Sequence, residues 1–346
     1  MGTRVTTTTQ SKLLPKVVDT ILNSNVFATR QLGAAKSWSG ERMRAPIKFA
    51  KNTTGTSFAG FDTFSTAATN NRVNLEFFPK FYNISVALPL DELSINDTSE
   101  KVLDLMGLEL ASTAQDAADD IGNIFYGDGT GNGSKDFLGL GAIVDDGTAT
   151  ATYGGLTRSA YPTLNSTVTS SSGTISLAKM STLYNGATSG SVKPTLGVTT
   201  EAVFQLYESL LQPQERIVKE MSLIKTQGNM GKMGTGLYSG TGFTGLYFKG
   251  FGVLADEKAT TGTLFFLNED FLDFYALPPL KGTTAIKFRS QIEGNDYSDV
   301  EGLGFSWSDW IKPTNSASFV GHIYLGGELY STDTKRHAKL TAITSI

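Results

Sequence analysis

From Asp97 to Tyr126 the chain carries its strongest periodic signal. Val102, Leu105, Met106, Leu110, Thr113, Ala117, Ile121 and Ile124 recur at helical spacing. Asp97 is an N-cap candidate, and Glu100 three residues on completes a capping-box arrangement. The spacing predicts a helix of about 28 residues, which at 1.5 Å each is a rod of about 42 Å. Glycines at 127, 129, 131 and 133 stop it. Asp97, Glu100, Asp104, Glu109, Asp116, Asp119, Asp120 and Asp128 stand against Lys101 alone.

Before the rod the apolar period changes to two. Val73, Leu75 and Phe77 alternate with polar residues, and Tyr82, Ile84, Val86 and Leu88 repeat the alternation after Pro79. Met43–Ala50 is strand-like, and a Gly/Thr/Ser/Asn-rich tip lies between at 52–71. Two arms around such a tip predict an extended hairpin over 37–88. Its tip holds Phe58, Phe61 and Phe64, which a lone hairpin cannot bury; such a ribbon needs another surface.

After the rod, 147–175 shows little periodicity and reads as loop. Amphipathic helices are expected at Leu177–Ala187 and Glu201–Leu211, the second carrying Val203, Phe204, Tyr207, Leu210 and Leu211. Gln227–Gly250 reads as a loop, and Gly250–Leu254 and Leu264–Leu267 as short strands. Ile286, Phe288, Ser290 and Ile292 alternate, as do Phe319, Ile323, Leu325 and Leu329. A further short helix is expected at 12–24, with Pro15 in its first turn. One long helix against long strands, with a hairpin apart, makes the fold class α+β.

Charge divides the chain. Residues 1–51 hold nine cations against Asp19 and Glu41, a net of +7, so an overall −4 leaves −11 on the rest. The basic arm, with Arg4, Lys12 and Lys16, suits an acidic neighbour or nucleic acid. Asp104, Glu109 and Asp116 mark the acidic helix as the complementary surface. Hydrophobic residues at 40% of the 346 exclude a disordered chain, and the 37 glycines lack a collagen period. No apolar run approaches the ~20 residues of a membrane span. The Thr-rich stretch 1–10 lacks the apolar core of a signal peptide, so synthesis in the cytosol is expected.

Catalytic signals are weak throughout. With no cysteine and only His322 and His337, thiolate chemistry, zinc–sulfur sites and multi-histidine metal sites are excluded. The alternating glycines 127–133 follow a helix, whereas a dinucleotide loop follows a strand and opens a helix. Read as a calcium loop, the same stretch puts Gly139 where a bidentate Glu is required. Gly231-Lys232 is no phosphate loop, since Thr226 and Met233 occupy two required positions. Asp91-Glu92, Asp119-Asp120 and Asp145-Asp146 are adjacent pairs whose side chains diverge. No catalytic, cofactor-binding or metal residue is assigned, and no cofactor is expected.

The order of elements resembles the major capsid proteins of tailed bacteriophages, the HK-ninety-seven-like fold. It runs from a basic arm through a two-stranded excursion, a spine-like helix and a glycine turn to a second α/β lobe with returning strands. Several stretches look like that family's recurring patterns: GGLTRSAYP at Gly154–Pro162, PTLGVTTEAVFQLYESLL at Pro194–Leu211, and FKGFGVLADEKATTGTLFFL at Phe248–Leu267. Phe305–Leu340, with WSDWIKPTN and HIYLGGELYSTDTKRHAKL, is another.

The resemblance implies a structural, non-catalytic role: self-assembly into hexamers and pentamers of an icosahedral head enclosing double-stranded DNA. It implies an N-terminal arm at 1–36 crossing neighbouring subunits and an E-loop hairpin at 37–88 lying over an adjacent one. A peripheral domain would take 89–152 and 265–335, with a spine helix at about 98–126. An axial domain would take 153–264 and 336–346. DNA contact would be to phosphates, without sequence preference. Portal, scaffolding and decoration proteins are further implied partners; with so short an arm, scaffolding is expected as a separate protein. The expected location is the virion shell, assembled in the host cytoplasm, without membrane contact. Some relatives cross-link Lys to Asn near a carboxylate; Lys51 and Asn315 are present, but the strand after Asn315 carries His322 and no carboxylate until Glu328, so both read as ordinary residues. Two rivals are an encapsulin-like nanocompartment shell and a β-rich adhesin or glycan-binding module; a glycosidase lacks its carboxylate pair.

Overall fold

The computed structural model of the chain describes residues 25–96, 105–211, 245–292 and 296–345. A short helix α1 (Val26–Gly33) leads into the two-residue strand β1 (Lys36–Ser37). Strands β2 (Met43–Lys48) and β3 (Arg72–Phe77) pair as an antiparallel ribbon, with Ala45 opposite Leu75. The predicted hairpin over 37–88 is corrected here. After Pro79 the chain leaves the ribbon, and β4 (Lys80–Pro89) joins a different sheet. Proline has no N–H to continue a ladder, which is why the alternation changes partner at that point.

Helix α2 (Leu90–Asn96) follows, then α3 (Leu105–Tyr126) over the predicted rod. The capping box at Asp97 and Glu100, Val102, and the helix expected at 12–24 lie outside the described residues. Ala117, Ile121 and Phe125 are buried along α3. They share a core with Val86 of β4 and with Phe305, Trp307, Ile323 and Leu325 of two late strands, β14 (Asp296–Ile311) and β15 (Ser318–Ser331). The 1.5 Å rise of a helix and the ~3.3 Å rise of a strand allow one long helix to cover this sheet.

β15 organises that sheet. One edge pairs with β14, which pairs in turn with β13 (Thr284–Ile292). The other edge takes β4 from Ser318 to Gly327 and then β12 (Leu272–Ala276) from Gly327 to Ser331; β1 closes the sheet beside β12. Gly327 is thus the residue at which β15 exchanges one partner for another. A Cβ there would lie 2.3 Å from the Tyr275 carbonyl oxygen.

The region 147–175, read as loop, contains three strands. β5 (Thr152–Tyr153) and β6 (Leu156–Thr157) form a small hairpin. β7 (Thr167–Thr174) runs parallel to β16 (Ala338–Ser345) at the edge of a second sheet. Its sequence TVTSSSGT has no apolar alternation because the strand is held by backbone pairing. That sheet runs β7, β16, β11 (Leu264–Leu267), β8 (Leu196–Thr199), β10 (Phe251–Ala255), β9 (Gly245–Phe248).

Both faces of the second sheet are covered. Leu196, Val198, Leu254, Phe265 and Leu267 point into the first core. Val253, Leu264 and Phe266 point the other way, into a second core with Met180 and Leu183 of α4 (Leu177–Ala187) and Val203 and Tyr207 of α5 (Glu201–Leu211). Continuous apolar runs are what such a doubly covered sheet requires. α4 begins where expected because the Ser176 hydroxyl accepts the Lys179 N–H at 3.3 Å, an N-cap.

Candidate assembly surfaces

The ribbon is firm at its base and unsupported at its tip. Leu75 and Phe77 are buried, Phe77 stacks on Tyr330 at 4.4 Å, and the Glu76 N–H donates to the Gly154 carbonyl at 2.9 Å. Gly154 has φ +54°, and a Cβ there would meet Leu75 at 2.7 Å, so the ribbon's base needs a glycine in that turn. At the tip, Phe58, Phe61 and Phe64 are 67, 106 and 61% exposed. Phe58 and Phe64 touch edge to face at 5.1 Å, their one ring contact among the described residues. Exposed aromatic side chains on the ribbon form an apolar patch that nothing covers among the described residues.

The outer side of α3 is acidic. Glu109, Asp116, Asp119 and Asp120 are exposed, while Asp104 lies outside the described residues. Asp120 accepts the Tyr82 hydroxyl at 2.9 Å, and Asp119 pairs with Lys258 at 3.1 Å. Burial first, then Asp120, raises the Tyr82 phenol above its ordinary range. Arg4, Lys12 and Lys16 also lie outside the described residues.

The chain enters the described structure on a rigid anchor. The Phe27 N–H and the Tyr126 hydroxyl both donate to Oδ2 of Asp256, at 2.9 and 3.0 Å. Arg30 forms a bidentate pair with Glu269 at 2.8 and 2.6 Å, both side chains being buried. Lys36 pairs with Asp273 at 2.5 Å. Sequence reading missed these anchors because their partners lie 130 to 239 residues apart.

A second buried polar centre joins the end of α3 to the large sheet. Glu328 is 1% exposed and accepts the Leu138 N–H at 2.6 Å. Lys80 lies 3.9 Å from it and donates to the carbonyls of Gly129 and Asp136. Burial pushes the Glu328 carboxyl up to about 7, against the lowering influence of the Leu138 N–H and Lys80. From Ser318 to Glu328 is ten residues, roughly 33 Å along the strand. Glu328 is therefore remote from Asn315, and no carboxylate stands beside that Asn on β15.

The other candidate chemistry resolves into structural contacts. His322 Nδ1 lies 2.8 Å from the Ser85 hydroxyl, and its backbone N–H donates to Ser308 at 2.8 Å. His337 is fully buried. Its Nδ1 accepts the Asn268 N–H at 3.2 Å, which leaves Nε2 to donate to Ser331 at 2.8 Å. Asp145 accepts the N–H groups of Gly147 and Thr150, each at 2.9 Å, as a loop cap. Among the described residues no three His, Cys, Asp or Glu side chains could hold a metal ion. No helix among them is long and apolar enough to cross a membrane.

No protein-family model matches the chain, and no curated protein matches its sequence. Solved structures do. The capsid asymmetric unit of cyanophage A-1(L) superposes with a TM-score of 0.65 at 15% identity, over 92% of each chain. The capsid of an empty GTA particle gives 0.53 at 9% identity, over 91% of this chain and 90% of the other. The holo-SrpI encapsulin complex of Synechococcus elongatus PCC 7942 gives 0.53 at 10% identity, over 89 and 84%. The chain has the α+β, HK-ninety-seven-like fold of tailed-phage major capsid proteins.

Proposed function

We propose that the chain is a major capsid protein that self-assembles into hexamers and pentamers of an icosahedral phage head enclosing double-stranded DNA. The carrying observation is the exposed Phe58–Phe61–Phe64 tip on a rigidly based ribbon, within this fold. Three large apolar side chains held out from a monomer require a surface on another copy. Head-to-tail contacts of this kind close into rings when the rotation closes.

In this reading residues 1–36 are the arm and the ribbon 43–77 is the E-loop. The first core with α3 is the peripheral part, and the second core, from 153–264 with the C-terminal strand, meets its copies at five- and six-fold centres. The arm contacts packaged DNA or a neighbour's acidic helix. The protein is non-catalytic and resides in the virion shell after assembly in the host cytoplasm, with portal, scaffolding and decoration proteins as partners. Electron microscopy of the chain expressed alone and with its genomic neighbours tests this. Closed shells or rings of five and six are expected, and monodisperse monomer in both preparations would refute it.

An encapsulin-like shell is the second reading, favoured by the likeness to an encapsulin fold. Particle contents separate the two: nuclease-protected DNA is expected for the head, an enclosed enzyme for the nanocompartment.

A further inference from the structure

Two polar side chains tie the start of β4 to the loop that follows α3. Lys80 is the first residue of β4, directly after Pro79, where the chain leaves the ribbon. It stands opposite Gly327, and Glu328 is the next residue of β15. Lys80 Nζ donates to the Asp136 carbonyl and, at 3.4 Å, to the Gly129 carbonyl, while Oε2 of Glu328 lies 3.9 Å away. Oε1 of Glu328 accepts the N–H groups of Leu138 at 2.6 Å and of Leu329 at 3.2 Å. Ribbon exit, loop and sheet joint therefore meet at one buried carboxyl.

The parts it joins are otherwise lightly held. Phe77 stacks on Tyr330, but Phe78 and Phe81, on either side of the bend at Pro79, are 53 and 51% exposed. Residues 130–135 of the loop are exposed, and its backbone turns through left-handed Asn132, Gly133 and Ser134 at φ +50, +68 and +66°. Its far end is fixed: Phe137 packs on Phe125 and Phe274, and a Cβ on Gly139 would lie 2.4 Å from the Gly127 carbonyl oxygen. Between these ends the loop hangs from β4 through Lys80.

The titratable and charged groups around Glu328 come from each neighbouring element. β4 supplies Lys80, and β5 supplies Tyr153, whose phenol feels the Glu328 charge. β12 sets Tyr275 opposite it, stacked on Tyr330, and the Asp273 carboxylate is taken by Lys36. Asp136 of the loop turns its carboxylate to Gly131 and offers Lys80 its carbonyl. While Glu328 is neutral, Lys80 serves the two loop carbonyls. Once ionised, the buried carboxylate requires a countercharge or water. Lys80 supplies the first by moving about 1 Å, which breaks the Gly129 contact, already at the limit of a hydrogen bond. Water supplies the second by entering beneath the loop. Either response frees the middle of the loop from β4.

We propose that Glu328 and Lys80 form a proton-operated latch: the neutral carboxyl holds the loop after α3 against the ribbon's exit, and its ionisation releases both. The latch belongs to the single chain; its use, setting the angle at which the aromatic tip is offered to a neighbour, rests on the shell-forming reading. Burial raises this carboxyl from 4.5 to about 7, so the closed form retains the proton. The latch is fully shut below about 4.5 and is lost as pH rises through about 7.

Hydrogen exchange of the full chain, read by mass spectrometry and corrected for the intrinsic effect of pH, tests this. From about pH 5 to about pH 8.5 the amides of 129–138 and 80–84 are expected to exchange at least tenfold faster, with a shared midpoint near 7, while α4 stays unchanged. Glu328→Gln, which cannot ionise, is expected to keep both segments slow throughout; should it not fold, the wild-type titration decides alone. No acceleration in wild type, equal acceleration in Glu328→Gln, or acceleration that includes α4 would overturn the latch. A response confined to the loop would overturn its hold on the ribbon. Since the unassembled chain suffices, failure of the shell-forming reading is seen separately, as monomer under the microscope.

Discussion

At the scale of single residues, Glu328 and the glycine before it set the joint of the large sheet. Gly327 closes the β4 pairing and opens the β12 pairing, and Glu328 reaches from that joint to the loop after α3. Its raised carboxyl makes stability depend on pH with a definite sign. Below about 4.5, its ordinary value, the folded and unfolded states are both protonated and nothing is lost. As pH rises toward about 7 the unfolded chain releases its proton first, and folding loses up to about 3 kcal/mol. Thermal melts at pH 5 and pH 8 should show Glu328→Gln reducing this slope relative to wild type; parallel slopes would remove Glu328 from the account. Gly327→Ala should lower stability by more than about 2 kcal/mol, because the new methyl meets a backbone oxygen that cannot step aside. Urea unfolding of the monomer measures it. None of this was legible in the sequence, where Glu328 is one acid in an alternating strand.

At the scale of elements, local signals worked where the element is local. α4 and α5 occupy the predicted Leu177–Ala187 and Glu201–Leu211, because amphipathic spacing and, for α4, a cap lie within the segment itself. The ribbon's arms and its exposed tip were also readable. Its second boundary was not, since Pro79 alone does not say that the next alternating run belongs to another sheet. β7 was missed for the converse reason: its Ser and Thr residues show no apolar alternation, and its pairing with β16, including the Ser171 hydroxyl donated to the Ala342 carbonyl, depends on residues 171 positions away. The tip supports a sharp expectation. Phe58→Ser/Phe61→Ser/Phe64→Ser should leave the monomer's melting within about 0.5 kcal/mol of wild type, because little is buried there. Assembly should fall at least tenfold, read by sedimentation. A large loss of monomer stability instead would mean that the tip packs on its own chain.

At the scale of the whole molecule, the central feature is the second sheet shared by two cores. Its inward residues join the helix and long strands, and its outward residues join α4 and α5. The buried Arg30–Glu269 pair ties α1 to this body. Replacing Arg30 by Met should cost about 3–5 kcal/mol, since it strands Glu269 as a buried unpaired charge. Neutralising Arg4, Lys12 and Lys16 should reduce correct assembly while leaving the monomer's melt unchanged; normal shell yield would show that the arm's charge is dispensable.

Sequence by itself determined the long acidic helix, the alternating strands, the aromatic tip, the charge division between arm and body, and through their order the fold. These are properties of neighbours along the chain, carried by periods of 3.6 and 2 and by turn residues. Tertiary structure alone decided which sheet each strand entered and which acids became buried anchors. Those outcomes depend on residues brought together from opposite ends of the chain, and no local period encodes that distance.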